Sequence, residues 1–153
     1  MKLTAFTDYC LRVLIYLAAA PSQKATIAEI ARSFDVSEHH LVKVVHFLGR
    51  KGWIATVRGK GGGMSLARPP EDIVIGQVVR DAEGELAPAE CFETSGGRCT
   101  LGGCCQLKGV LGRAIAAFYA VLDTCTLAQV TTNEAQLRRA LHFIRVMPES
   151  ERP

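Results

Sequence analysis

From His39 to Pro70 the chain has no Asp and no Glu, while Lys43, Arg50, Lys51, Arg58, Lys60 and Arg68 are all cationic. From Glu71 to Cys105 the balance reverses: Glu71, Asp72, Asp81, Glu83, Glu85, Glu90 and Glu93 stand against only Arg80 and Arg98. A net charge of +3 conceals that division. A one-sided basic block suits a polyanion, because each phosphate contact releases condensed counterions. A solvated basic face is the plainer alternative. Long apolar runs are missing too: nothing approaches the roughly 18 residues that span a bilayer. The stretch 13–20 is too short, and Arg12 interrupts it. The N-terminus lacks the basic, apolar and small-residue succession of a secretory leader, so a cytoplasmic protein is expected. With 153 residues, 48% of them hydrophobic, the chain can form one domain with a real core, or one domain with an appended arm.

Histidine is absent between His46 and His142, and the set Cys91-x7-Cys99-x5-Cys105 lacks the close ligand pairing of structural zinc sites. Four of the six cysteines, Cys91, Cys99, Cys104 and Cys105, crowd into one short glycine-containing segment. A reducing compartment disfavours a disulfide framework, so this clustering points to metal or redox chemistry. Three thiolates in a loop just before a helix N-terminus suit a soft, anionic, sulfur-liganded cluster, with one vertex left to a weaker fourth group. Two other readings stay open. One is a metal-independent thiol switch, for which Cys104–Cys105 is the natural pair; the other is a zinc-stabilised module. Cys104 otherwise reads as a bystander. No general base pairs with a nucleophile and no cofactor fingerprint is present, so an enzyme is not expected.

Helical periodicity marks a first element near Thr7-Asp8, both good N-cap types, with Leu11, Leu14, Ile15 and Ala18 on one face. A second helix starts at Thr26, with Ile27, Ile30, Ala31 and Phe34 as its apolar face. Ser37 caps a third, striped by Leu41, Val44, Val45 and Leu48 and stopped at Gly52. The turn 34–37 has the length found in helix-turn-helix units. Glu38, His39, His40, Lys43 and His46 are left outward, mostly hydrogen-bond donors, as a helix in the major groove requires. Strands over 53–57 and 64–67 flank Arg58-Gly59-Lys60-Gly61-Gly62-Gly63, a basic glycine-rich hairpin. A nucleotide-binding glycine loop is the rival reading, but no helix N-terminus follows to receive a phosphate. A helix-turn-helix followed by a basic hairpin is a winged helix. Its candidate DNA contacts are Ser37, His39, His40 and Lys43 on the third helix, and Arg58, Lys60 and Gly61 in the wing.

After a strand or turn at 73–75, the pattern predicts a helix over 77–83. Residues 84–104 have little periodicity, and a bound metal centre would explain how such a loop folds. From Cys105 a long helix carries Leu107, Leu111, Ala114, Phe118, Val121, Leu122 and Cys125 mostly by threes and fours. It reads as a dimerisation helix, with packing inside the monomer as the alternative. A turn follows Thr126, and a last helix is expected over 133–145 before frayed final residues. The expected fold is mainly α with a small β-wing. It comprises a winged helix-turn-helix (1–83), a cluster-binding loop (84–105), a long dimerisation helix (106–130) and a C-terminal arm (131–153).

Several segments together carry a family resemblance. They are Leu3-Thr4-Ala5-Phe6-Thr7-Asp8-Tyr9, the Val57–Gly63 wing, Ile75-Gly76-Gln77-Val78-Val79-Arg80, the three cysteines leading into Cys105-Gln106-Leu107-Lys108, Leu122-Asp123 and Thr126-Leu127-Ala128. As a set, over residues 1–130, they resemble the nitric-oxide-sensing members of a family of winged-helix iron–sulfur transcription regulators that also contains IscR. The resemblance implies a homodimeric repressor on a pseudo-palindromic operator in double-stranded DNA, with one iron–sulfur cluster per subunit (4Fe–4S or 2Fe–2S). It implies Cys91, Cys99 and Cys105 as ligands, with Asp8 from the partner subunit as the fourth; a helix cap is the other use for Asp8. Nitric oxide would be the signal, and nitrosylation of the cluster would release the DNA. Three features depart from the pattern. IscR-type members carry a His three residues after the last cysteine, where this chain has Lys108, whose ammonium has no free lone pair. The gap between the first two cysteines is longer than in some relatives, and Cys10 stands where a small residue is expected, packed in the first helix or, by its nearness to Asp8, a minor candidate ligand.

Overall fold

The computed structural model describes residues 2–20, 24–57, 59, 61–84, 86–92, 99–101, 104–141 and 143. Helix α1 spans Ala5–Ala19 and is capped by Thr4, whose side chain accepts from the Thr7 N–H at 3.2 Å. The cap therefore falls ahead of the Thr7-Asp8 position expected from sequence. Thr7 is fully buried one turn inside the helix, so tertiary packing decides among three neighbouring polar residues. Helix α2 (Ile27–Phe34) begins with a capping box in which Thr26 and Glu29 satisfy each other's backbone N–H groups. Asp35 ends it in the left-handed conformation at φ 51°. Helix α3 (Glu38–Arg50) is capped by Ser37 and buries Leu41, Val44, Val45 and Leu48, the stripe predicted.

Strands β1 (Ile54–Val57) and β2 (Gly63–Leu66) pair antiparallel with Ile54 opposite Leu66 and Val57 opposite Gly63. Ala25 adds a bridge to the Met64 backbone on the outer side of β2, tying the sheet to the start of α2. A 3-10 turn over Pro70–Asp72 leads into α4 (Ile75–Glu83), which starts two residues before the expected Gln77. The segment 73–75 is an extended bridge, Val74 pairing with Thr126. A second 3-10 turn covers Glu90–Phe92, then α5 runs over Gln106–Asp123 with Cys105 at its N-cap. Thr126 caps a further short helix, α6 (Leu127–Val130), where the sequence suggested only a turn; its Thr126–Gln129 capping box was there to be read. Helix α7 spans Glu134–Ala140. It ends short of the expected Arg145, with Leu141 as its C-cap and Phe143 outside any helix; the frayed end lies outside the described residues, as do Arg58 and Lys60 of the strand connection.

The core is built from α1, α2, α3, α4 and the sheet base. Val13, Leu14, Ile30, Leu41, Val44, Leu48, Ile73, Val78, Val79 and Leu127 are fully or almost fully buried there. Burying an aliphatic side chain of that size stabilises by about 1.5–3 kcal/mol. The fold is thus mainly helical with one two-stranded sheet, a winged helix-turn-helix with a long helix beside it. Among the described residues no helix is long and apolar enough to cross a membrane.

Candidate nucleic-acid interface and cysteine segment

The 3.6-residue period that buries Leu41, Val44, Val45 and Leu48 leaves His39, Val42, Lys43, His46 and Arg50 exposed along one face of α3. Neither Lys43 nor Arg50 joins an ion pair among the described residues. Ser37 already accepts from the His39 N–H at 3.2 Å, which fixes the start of the helix. His40 sits one position around and stacks on Tyr9 of α1, ring centroids 6.2 Å apart, so it leans toward the neighbouring helix more than the other predicted contacts do. Between this face and the wing lies an open cleft of about 900 Å³, bordered by Val42, His46 and Arg50 on one side and Val57, Gly59 and Gly62 on the other. Gly61 in the wing has φ 76°, a left-handed conformation natural to glycine, and the tight turn uses it. The wing cations Arg58 and Lys60 lie outside the described residues.

Cations nearer the wing base are already engaged. Lys51 donates to Asp81 on α4 at 2.7 Å, and the Trp53 indole N–H donates to the other Asp81 oxygen at 2.9 Å. Arg68 lies over the Trp53 ring, 4.7 Å from its centroid. The last two turns of α4 reach three parts of the molecule. Asp81 holds the wing base. Glu83 accepts from the Thr4 N–H and hydroxyl at 2.7 and 3.0 Å, closing the N-terminus of α1. Arg80 grips Asp123 at the end of α5 through two hydrogen bonds of 2.5 and 2.7 Å and lies over the Tyr119 ring. That grip raises the Arg80 pKa and lowers that of Asp123. Partial burial pushes the Glu83 carboxyl up, but hydrogen bonds from Thr7 and Thr4 outweigh it and hold it below the ordinary value. Sequence reading expected a helix over 77–83 and used 75–80 in a resemblance, but gave none of these ties, which span 28 to 79 residues and leave no local signal.

The end of α5 is also stitched to α4 by backbone. The Ile75 N–H donates to Cys125 O at 2.9 Å and the Leu127 N–H to Ile73 O at 2.8 Å. Gly76 lies so close to Asp123 that a Cβ there would collide with the carboxylate and the Asp123 backbone. Towards its N-terminus α5 is much barer, with Leu107 and Val110 exposed.

The cysteines lead into that bare end. Cys91 lies in the Glu90–Phe92 turn and, like Cys99 and Cys105, is a half-buried free thiol, whereas Cys104 is exposed. Cys105 makes no side-chain capping bond, so its sulfur is not spent on the helix N–H groups. A carboxylate or another anion near those N–H groups would be stabilised by the helix dipole. Phe92 borders a second cavity of about 560 Å³ with Arg80, Leu86, Ile115 and Tyr119. Lys108 points at the Phe92 ring, 5.7 Å from its centroid, and serves there as a packed cation. Cys10 is fully buried in the core, as packing in the first helix would have it, and burial pushes its thiol up to about 12. Asp8 projects from the first turn of α1 and pairs with Arg12 at 2.8 Å. Within one chain the described His, Cys, Asp and Glu side chains do not bring three candidate metal ligands together. The donor set nevertheless fits a thiophilic iron centre in kind: three unbonded, partly shielded sulfurs before an uncapped helix start.

Residues 3–133 match the Rrf2 family, described as iron-dependent transcriptional regulators. The chain is 46% identical over 142 residues to the HTH-type transcriptional regulator NsrR of Geobacillus kaustophilus, covering 92% of this chain and 97% of that one. It is 44% identical over the same length to the NsrR of Bacillus subtilis, with the same shares covered. Among solved structures, IscR of T. potens superposes with a TM-score of 0.70 at 28% identity, covering 89% of this chain and 91% of that one. CymR, described as the global cysteine regulator of B. subtilis, gives 0.70 at 27% identity, with 87% and 98% covered.

Proposed function

The chain belongs to the Rrf2 family of transcriptional regulators, and from that membership we propose a homodimeric DNA-binding repressor that carries an iron–sulfur cluster and lets go of its operator in response to nitric oxide. The observation that carries this reading is the set of three spaced, unbonded cysteines at the bare end of a helix whose other end is fastened to the winged helix. Cys91, Cys99 and Cys105 would hold the cluster, with Asp8 of the partner subunit as a fourth ligand. When bound, such a cluster supplies iron to which nitric oxide binds, next to a hard carboxylate that thiophilic iron holds weakly.

This chain's own residues account for the rest. Two copies of α3 would enter successive major grooves about 34 Å apart. Ser37, His39, His40 and Lys43 would contact bases or nearby phosphates, and the wing residues Arg58, Lys60 and Gly61 the backbone or minor groove. Leu107, Val110 and Val121 are exposed on α5 and supply apolar area for a second copy. The division follows as residues 1–83 for DNA, 84–105 for the cluster, 106–130 for dimerisation and 131–153 as an arm. A regulator of this kind works in the cytoplasm. Anaerobically purified protein should show visible sulfur-to-iron absorption that bleaches on nitric oxide titration as a duplex selected from a random pool is released. Cys99→Ala should lose both the colour and the response. Nitric-oxide-sensitive binding that survives Cys99→Ala, or a colourless protein that binds DNA regardless, would overturn the cluster mechanism.

A further inference from the structure

Between residues 2 and 100 only two large apolar side chains stand exposed among the described residues, Val42 at 51% and Val57 at 62%. Both border the same cleft, Val42 from α3 and Val57 from the wing. Single exposed apolar residues are ordinary on a protein surface, but these two share one site. Val42 also sits in the middle of the exposed α3 face, three residues after His39 and four before His46, beside Lys43. Its exposed neighbours His39, Lys43, His46 and Arg50 are donors or cations, with Glu38 one turn before it at the start of the helix. A valine there contributes nothing to phosphate contact or hydrogen-bonded readout. What it does complement is the one apolar group that base edges present in the major groove, the 5-methyl of thymine.

We propose that Val42 is a specificity-determining residue, seating a thymine methyl at the mouth of the α3–wing cleft while Lys43 and Arg50 hold the flanking phosphates. The surrounding charge commits the occupant to a polyanion: the cleft is bordered by Arg50 and His46, and no Asp or Glu is among its described lining residues. Glycines at 59 and 62 add no side chains of their own to the wing side of the cleft. Exposed as it is, Val42 can be changed without opening the core, and its removal tests recognition instead of folding.

This inference rests on the proposed DNA-binding role. The test uses the full-length protein and a duplex selected from a random pool, with each thymine replaced in turn by deoxyuridine, which removes only the methyl. At one or two positions in each half-site, wild-type affinity should fall about fourfold, the equivalent of one buried methyl group. Val42→Ala should bind the thymine duplex correspondingly more weakly and be indifferent to deoxyuridine at those positions. Unchanged affinity with deoxyuridine at every position, or a full deoxyuridine penalty retained by Val42→Ala, overturns the inference and leaves the regulator reading standing. A wild-type protein that selects no duplex overturns both. Displacement of an apolar dye from the cleft in wild type but not Val42→Ala, with no deoxyuridine effect, would assign the cleft to a small apolar ligand instead.

Discussion

Each helix of the winged-helix half, α1 to α4, buries side chains of its own, whereas α5 is the longest described helix and buries none. The first half carries most of the core, completed by Leu127 of α6, and α1, α2 and α3 have side-chain caps. Helix α5 is held at one end, by Arg80, the Ile75 and Leu127 backbone bonds and the close approach at Gly76, and otherwise has only a partly buried stripe, Leu111, Ile115, Phe118, Tyr119 and Leu122. An amphipathic helix in water draws most of its stability from what it packs against. Stability in the one half is therefore intrinsic to the chain, and in the other it is lent by something added, a second copy or a bound centre.

The sharpest way to break this contrast is a pair of truncations. Leu48→Ala, inside the core, should lower the unfolding free energy by about 2–5 kcal/mol in urea titration. Leu107→Ala should shift it by no more than about 0.5 kcal/mol at low protein concentration, while weakening self-association in sedimentation. Equal losses for both, independent of concentration, would place α5 in the core and end the comparison. The junction comes next. Gly76→Ala forces Asp123 away from α4, and we expect a loss of about 1–3 kcal/mol, with greater exchange of the Ile75 and Leu127 amides. Unperturbed amides would mean that the fastening does not depend on that close approach.

The smallest effect concerns Glu83, whose folded pKa is lowered from 4.5. A carboxyl depressed in the folded state adds stability that is fully present above its unfolded value and is lost as pH falls through the folded one. Glu83→Gln should thus cost about 0.5–1 kcal/mol at neutral pH, discounted for its exposure, and the gap to wild type should close below pH 4.5. A gap that stays constant into acid would show that the Thr4 contacts matter through shape and not charge.

Local rules explain which of these features the sequence disclosed. The α2–α3 pair was legible because capping residues and an apolar stripe act within a few positions of each other, and the hairpin because its glycines and flanking alternation are adjacent. The cap of α1 was misplaced because Thr4, Thr7 and Asp8 are all competent, and only the burial of Thr7 and the reach of Glu83 choose among them. Helix α4 was expected as a helix but without its ties, because Asp81 and Glu83 find partners 28 to 79 residues away. The cysteines were conspicuous by spacing alone. Val42 was passed over because sequence reading looked for donors on the outward face of α3, and a valine there is visible only once the wing stands opposite it.

Helix α5 has 18 residues, a rod of about 27 Å fixed at its Asp123 end. A rod pinned at one end converts travel into rotation. A shift of about 5 Å near Cys105 would reach the pinned end as a turn of only about 10°. It would be delivered to α4, the one helix that also holds the N-terminus of α1 and the base of the wing, so one small turn bears on both DNA-facing parts at once.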